Sequence, residues 1–306
     1  MPAHDQVPED SHASGPSAGT FLPPGLPSGE LSPEHFRRIA RILYEACGIH
    51  LQDGKEQLVR SRLWKRMRAI GVASFEEYLA LVQSPAGASE FSAMIDALTT
   101  NKTSFFRESQ HFDFLRARLA DRYASARRLR IWSAGCSSGQ EPYSLAMSIL
   151  EEWPYPEGRD IRILATDIAA PMLESARRGL YRPEHVRDVP PEILRKYFRE
   201  TLGERESMMA VHERVRSLVA FARLNLLGRW PMRGSFDFIF CRNVMIYFDK
   251  DTQRRLISRF RGLLAPAGFL LVGHSESLTG RAEGFRYLQP AVYQKCDELL
   301  TGGGRP

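Results

Sequence analysis

From Leu31 to about Leu98 the apolar residues recur at helical spacing. Ser32 and Pro33 form a cap and a first-turn proline, and Phe36, Ile39, Ile42 and Leu43 follow on one face until Gly48. A second helix runs from Lys55 to Ile70, with Val59, Leu63, Met67 and Ile70 on its apolar face and Gly71 as its stop. Ser74 caps a third helix, and a fourth spans about Ser89 to Leu98. From Leu129 onward the pattern changes to short apolar runs separated by helices, as in an α/β domain. Strands are expected at 129–132, 161–165, 218–221, 236–241 and 269–272, with a final antiparallel pair between Phe285 and Lys295. Phe236 to Cys241 is nearly continuous in apolar residues, as in a parallel strand buried on both faces.

The segment between about 180 and 222 breaks this regularity. Prolines interrupt it, and the alternation Val211, Glu213, Val215, Arg216, Leu218 suggests small antiparallel strands inserted on the main sheet. The expected organisation is therefore a tail at 1–30, a helical domain at 31–98, a linker and connecting helix at 99–128, an α/β domain at 129–298 and a tail at 299–306. Pro266-Ala267-Gly268 reads as a turn.

The first strand, loop and helix of the α/β domain carry the chemistry. Arg130 to Met147 passes from an apolar strand through Ser133-Ala134-Gly135-Cys136-Ser137-Ser138-Gly139 into a helix with Pro142 in its first turn. Small residues let a ligand approach the backbone, and a helix start presents unpaired N–H groups. The two glycines do not make the dinucleotide fingerprint, and Glu141 disfavours a pyrophosphate and favours a neutral or cationic ligand. An ordinary strand-to-helix turn without a ligand is the competing reading. Asp167 ends the second strand, about 28 residues past the loop. A ribose would present its hydroxyls there, given a first crossover longer than the usual spacing of about 20. Arg242 and Asn243 follow the central strand at its carboxyl end, where open α/β sheets bind ligands.

The chain has 306 residues, is 43% hydrophobic and carries a formal charge of +6. That charge admits nucleic acid, an anionic membrane surface or an acidic protein. On the second helix Lys55, Arg62, Lys65, Arg66 and Arg68 lie around the face opposite the apolar one, with only Glu56 near the helix start to offset them. Two readings stand: a solvated surface, or a docking surface for an acidic partner. Cys47, Cys136, Cys241 and Cys296 are far apart, and no C-x-x-C or Cys/His cluster appears in the sequence, so no zinc site is expected. Scattered cysteines fit a reducing cytoplasm. There is no apolar run of about 18 residues to cross a membrane. The N-terminus lacks the basic start and apolar centre of a signal peptide. Phe105 and Phe106 read as plugs between domains, and His274 as structural.

Several stretches jointly resemble the chemotaxis receptor methyltransferases of the CheR type. They are Asn-Lys-Thr-Ser-Phe-Phe-Arg-Glu at 101–108, Ala-Gly-Cys-Ser-Ser-Gly-Gln-Glu-Pro-Tyr-Ser at 134–144, Ala-Thr-Asp-Ile at 165–168, Asn-Leu-Leu at 225–227 and Phe-Cys-Arg-Asn-Val-Met-Ile-Tyr-Phe at 240–248. The resemblance spans about Leu31 to Cys296. It implies a Rossmann-like class I methyltransferase sheet with a small N-terminal all-helical domain and an inserted β-subdomain. It implies S-adenosylmethionine as methyl donor, S-adenosylhomocysteine as by-product and receptor glutamates as acceptors. Cofactor contacts are implied at Asn101, Thr103, Arg107, Glu141, Asp167, Asn225, Leu226, Arg242 and Asn243. On that basis Arg107 is expected to orient the incoming carboxylate and Tyr247 to border the transferring methyl. The basic helix is expected to meet an acidic receptor helical bundle, and a monomeric cytoplasmic protein without membrane insertion is expected. In some members the β-subdomain grips a receptor tail peptide; this segment leaves that open here.

Two alternatives remain at this level. A nucleic-acid methyltransferase would want a motif such as Asn-Pro-Pro-Tyr or a catalytic cysteine, whereas Arg-Asn-Val-Met occupies the former place and Cys241 sits inside a strand. A catalytically silent module that binds the cofactor and signals by contact is the other.

Overall fold

A computed structural model describes residues 30–99, 101–203, 206–278 and 284–296. The expected tails, apart from Glu30, lie outside these residues. The helical part comprises α1 (Pro33–Cys47), α2 (Glu56–Ile70), α3 (Phe75–Gln83) and α4 (Ala88–Leu98). Ser32 Oγ accepts from the His35 N–H at 3.1 Å, and Ser74 Oγ from the Glu77 N–H at 3.2 Å, so both expected caps close orphan donors. Apolar side chains of all four helices form one core, including Ile39, Leu43, Val59, Leu63, Met67, Tyr78, Leu79 and Met94. Ile70 differs from its expected place: it is 37% exposed, because the helix ends there and Gly71 turns the chain at φ +72°.

The connecting helix α5 (Gln110–Ala120) leads into β1 (Arg128–Ala134), α6 (Gln140–Glu152), β2 (Asp160–Asp167) and α7 (Ala170–Arg178). Next come β3 (Leu180–Tyr181), α8 (Pro183–Val186), α9 (Pro191–Tyr197), β4 (Phe198–Leu202), β5 (Ser207–Val211) and α10 (Glu213–Arg216). The chain then forms β6 (Val219–Arg223), β7 (Phe236–Cys241), α11 (Lys250–Leu263), β8 (Leu264–Val272), β9 (Phe285–Gln289) and β10 (Val292–Lys295). The main sheet has the order β6-β2-β1-β7-β8-β10-β9. The pairs from β6 to β8 are parallel, while β10 runs antiparallel to β8 and β9. Alternate residues of β1 enter different cores. Ile131 joins the one shared with α5 and α6, and Trp132 the one shared with α11, so both faces of the sheet are covered. The buried Trp132 indole donates to Thr166 Oγ1 at 2.9 Å, which satisfies its one polar atom.

A separate antiparallel sheet, β3-β5-β4, is the inserted piece. Two expectations change here. The alternation at 211–218 is partly helical, because the His212 ring accepts from the Arg214 N–H and starts α10. The strand expected at 218–221 is β6, paired parallel with β2, so the small sheet ends at Val211. A third difference is at 266–268: β8 runs through the expected turn, with Ala267 at φ +51° and a register shift against β7. Phe105 and Phe106, expected between domains, pack instead with the α/β core, Phe105 edge-on to Tyr181 and Phe198 of the insertion. No described helix is long and apolar enough to cross a membrane.

Candidate functional site

β1 lies between β2 and β7, and the chain leaves it in opposite directions to reach them, so a crevice opens beyond their carboxyl ends. A cavity of about 1000 Å³, including its open mouth, occupies this place. Gly135, Ser137 and Glu141 come from the first loop and helix, Asp167 and Ile168 from the end of β2, and Arg242, Asn243 and Val244 from the end of β7. Two further walls come from the segment Asn101–Arg107 and from Leu224–Leu226. The helical domain supplies the last wall through Cys47, Ile49, Leu98 and Thr99.

That wall is held by specific contacts. Asn225 Nδ2 donates to the Ala46 carbonyl at 2.7 Å, the His50 N–H to the Tyr247 carbonyl at 2.8 Å, and Tyr44 Oη to Asp249 Oδ2 at 2.7 Å. Gly48 allows the close approach: a Cβ there would meet Leu227 Cδ1 at 2.2 Å. On the opposite side Gly135 sits at φ +92°, and a Cβ would meet Val244 Cγ2 at 2.3 Å. The two loops that floor the crevice therefore touch only because this residue is glycine.

Charge is arranged in two layers. Arg242 is buried between two acids, with Nη1 3.0 Å from Glu141 Oε2 and Nη2 3.2 Å from Glu108 Oε2. It also donates to the Arg107 carbonyl and lies 5.6 Å over the Phe112 ring. Glu141 Oε1 accepts from Ser133 Oγ at 2.7 Å. Burial pushes the Glu141 carboxyl above the usual range, against the pull of Arg242. Burial has the same tendency at Glu108, but there the Arg242 charge outweighs it and the carboxyl is held low. Asp167 is also raised by burial, although its oxygens accept from the Ser137 N–H at 2.7 Å and the Ala169 N–H at 2.9 Å. The cavity thus presents two buried acids whose ionised forms lack a full complement of positive charge. His111 beside this layer is pushed down to about 4 by burial and by Arg242.

All nine residues expected to contact a cofactor line this one cavity, and so does Tyr247. Several are more engaged than expected. Arg242 is an ion-pair hub rather than an open contact. The Asn225 amide bridges Ala46 and the Leu227 N–H, leaving one N–H and one lone pair for a ligand. Arg107 Nη1 donates to the Lys102 carbonyl at 3.0 Å.

The basic face of α2 divides. Lys55, Lys65 and Arg68 are exposed. Arg62 instead donates to the carbonyls of Ala97, Leu98 and Thr99 at 2.9–3.3 Å, closing the carboxyl end of α4, where helix carbonyls lack partners. Arg66 makes a bidentate contact with buried Glu90, which also accepts from Tyr78. These two half-buried cations are engaged in holding the helical domain together.

Two acids escaped the sequence reading. Glu276 is buried and accepts from the N–H groups of Gly273, Asn243 and Ile246 at 2.6–3.1 Å, fixing the loop after β7. Its signal was its place at the carboxyl end of β8. Glu108, inside a motif already singled out, gathers Arg242 and two histidines, His111 and His274. The sequence shows no local Cys/His cluster, yet the fold brings Glu108, His111 and His274 together, with one ligand-capable atom of each within 4.8 Å of the others. Cys241 is fully buried with its thiol pushed up, which removes it as a nucleophile.

Residues 101–293 match the family described as "CheR methyltransferase, SAM binding domain", and residues 34–99 match "CheR methyltransferase, all-alpha domain". The chain is 41% identical over 264 residues to the "Chemotaxis protein methyltransferase" of Escherichia coli, covering 86% of this chain and 91% of that protein. It is 44% identical over 246 residues to the "Probable chemotaxis protein methyltransferase" of Rhizobium etli, covering 79% and 92%.

Proposed function

The chain belongs to the CheR methyltransferase family, and from that premise we propose that it forms methyl esters on glutamate side chains of chemotaxis receptors. As a family member it is an S-adenosylmethionine-dependent methyltransferase of chemotaxis, with the class I sheet and the all-helical N-terminal domain. The ester on glutamate, the receptor helical bundle as substrate, the cytoplasmic location and the roles below are the finer reading.

The cavity suits the donor. S-adenosylmethionine supplies an electrophilic methyl group on a sulfonium. Its positive end and amino group match Glu141, and its ribose hydroxyls match Asp167 at the end of β2. Ile168, Leu224, Leu226 and Phe248 offer apolar walls to an adenine, and Asn225 keeps one donor and one acceptor for its edge. The buried acids Glu141 and Asp167 in one crevice are the observation that carries the reading: an anionic nucleotide would be repelled, and a cationic one completes the charge.

The acceptor carboxylate is ionised at pH 7, so the reaction needs no general base. What remains is alignment and exclusion of water. Arg107, at the cavity wall, would hold the incoming carboxylate. Tyr247 would border the transferring methyl, and the helical-domain wall would keep water out. Asn101 and Thr103 line the same cavity. Glu276 acts through the backbone by fixing the loop that carries Arg242, Asn243 and Tyr247.

The test is incubation with methyl-tritiated donor and receptor cytoplasmic fragments, followed by base. Methyl esters release volatile labelled methanol. Label that stays with the protein or appears on nucleic acid overturns the reading, as does absence of transfer by protein that binds the donor.

A further inference from the structure

Glu108, His111 and His274 bring one ligand-capable atom each to within 4.8 Å of one another. Glu108 precedes α5, His111 lies in its first turn, and His274 follows β8. His111 is completely buried, yet neither ring nitrogen has a hydrogen-bond partner. Glu108 Oε2 accepts no hydrogen bond either, although Arg242 stands beside it as an ion-pair partner. Buried polar atoms without partners are costly, so this cluster calls for a group that would complete it. Glu108 also holds a left-handed backbone at φ +56°, unusual for a non-glycine residue and typical of segments held in place for a purpose. His274 is exposed and gives a path from solvent.

We propose that Glu108, His111 and His274 bind a zinc-class divalent cation, which competes with Arg242 for Glu108. Two imidazoles and a carboxylate, with water in the fourth position, form a common zinc donor set. Tetrahedral ligands with bonds of about 2.0–2.1 Å stand roughly 3.3 Å apart. His111 Nδ1 is 3.6 Å and His274 Nε2 3.9 Å from Glu108 Oε2, and no two of the three ligand atoms are more than 4.8 Å apart, so closing the site needs movements of up to roughly 1.5 Å. The Arg242 guanidinium works against the cation by like charge. Binding therefore draws Glu108 away from Arg242, and Arg242 also holds Glu141 at the cavity wall. The cation and the methyl donor are thus coupled. The binding claim stands alone, while the coupling rests on the donor site proposed above.

Zinc chloride is titrated into the full chain against a chromophoric competitor, alongside His274→Ala. Zinc held elsewhere, as by Cys296 or the N-terminal histidines, is common to both proteins and cancels. The parent is expected to bind one additional zinc that the variant binds roughly tenfold or more weakly. Cobalt(II) should give the parent four-coordinate d–d bands that the variant lacks. Equal zinc affinity in parent and variant overturns the site. S-adenosylhomocysteine should bind more weakly to zinc-loaded parent than to the metal-free protein, with no such change in His274→Ala. Zinc bound at the site with unchanged S-adenosylhomocysteine affinity overturns the competition. Failure of S-adenosylhomocysteine to bind the metal-free parent counts against the donor site instead.

Discussion

Arg242 Nη1 lies 3.0 Å from Glu141 Oε2, and both side chains are nearly sealed from water. A buried ion pair is weak evidence of net stability, but removing one partner leaves the other charge uncompensated. Here two acids would be stranded, because Glu108 relies on the same guanidinium. Arg242→Met is expected to lower unfolding free energy by about 3–5 kcal/mol. Urea denaturation measures it, and a loss below about 1 kcal/mol would mean water already reaches the pair.

Glu141→Gln separates binding from folding. A carboxyl whose pKa is raised on folding holds its proton more tightly in the native state. Its contribution to stability is present at low pH and is lost as pH rises through the folded value. Glutamine removes that loss, and Arg242 keeps Glu108 as its ion-pair partner, so the variant should match or exceed the parent in stability at pH 7 while binding the donor more weakly. A charge-assisted contact of about 1.5–3 kcal/mol corresponds to a roughly 10–150-fold weaker affinity. The parent's donor affinity should also fall as pH drops towards the raised range of Glu141 and Asp167, and fall less in the variant. Calorimetric titration with S-adenosylhomocysteine at several pH values checks both outcomes.

How much of this was legible beforehand follows from range. Caps, helix stops and strand runs are local, and Ser32, Ser74, Gly48, Gly71 and the Phe236–Cys241 run announced their elements directly. The nine expected contacts that line the cavity were legible because each sits in a quoted motif, whereas Cys47, Ile49, Leu98 and Thr99 of the helical wall do not. What stayed hidden depends on contacts between distant segments. Arg66 looks like any exposed helix cation until Glu90 is folded against it, 24 residues away. Arg62 looks the same until the end of α4 arrives with unpaired carbonyls. Glu276 had only its place after β8 as a signal, and the grouping of His111 with His274 has no local pattern at all. The alternation near Val211 misled because a four-residue helix is too short to display its own period.

Gly135 tests the floor of the crevice. Alanine there must adopt φ near +92° and push against Val244. The backbone term alone is of order 1–3 kcal/mol, and the contact adds to it. Gly135→Ala should lower the melting temperature and weaken donor binding together. Adding Val244→Ala should recover the contact part but not the backbone part. A double variant no better than the single one would show that the loop accommodates the Cβ without meeting Val244.

Arg107→Ala should affect turnover beyond binding. If its guanidinium orients the acceptor carboxylate, kcat falls by at least about tenfold, or ~1.4 kcal/mol in barrier. Its stability should hold, since the hydrogen bond its side chain donates to the Lys102 carbonyl is solvent-exposed. Initial-rate kinetics at saturating donor decide the matter, and near-normal kcat would remove the assigned role.

Receptor docking is expected to depend on the exposed cations of α2 alone. Lys65 and Arg68 face solvent without supporting α4, whereas Arg62 and Arg66 are committed to it. The double reversal Lys65→Glu, Arg68→Glu should therefore leave melting temperature and S-adenosylhomocysteine affinity unchanged while lowering kcat/KM for receptor fragments. Because surface attraction is screened within about 8–10 Å at physiological salt, the parent's advantage should shrink as salt rises. Arg66→Glu provides the contrast. It places a second acid against buried Glu90, so it should melt early and lose donor binding and receptor methylation together. If the double reversal methylates receptor fragments as well as the parent does at low salt, the basic face is merely solvated, and docking has to be sought on another surface.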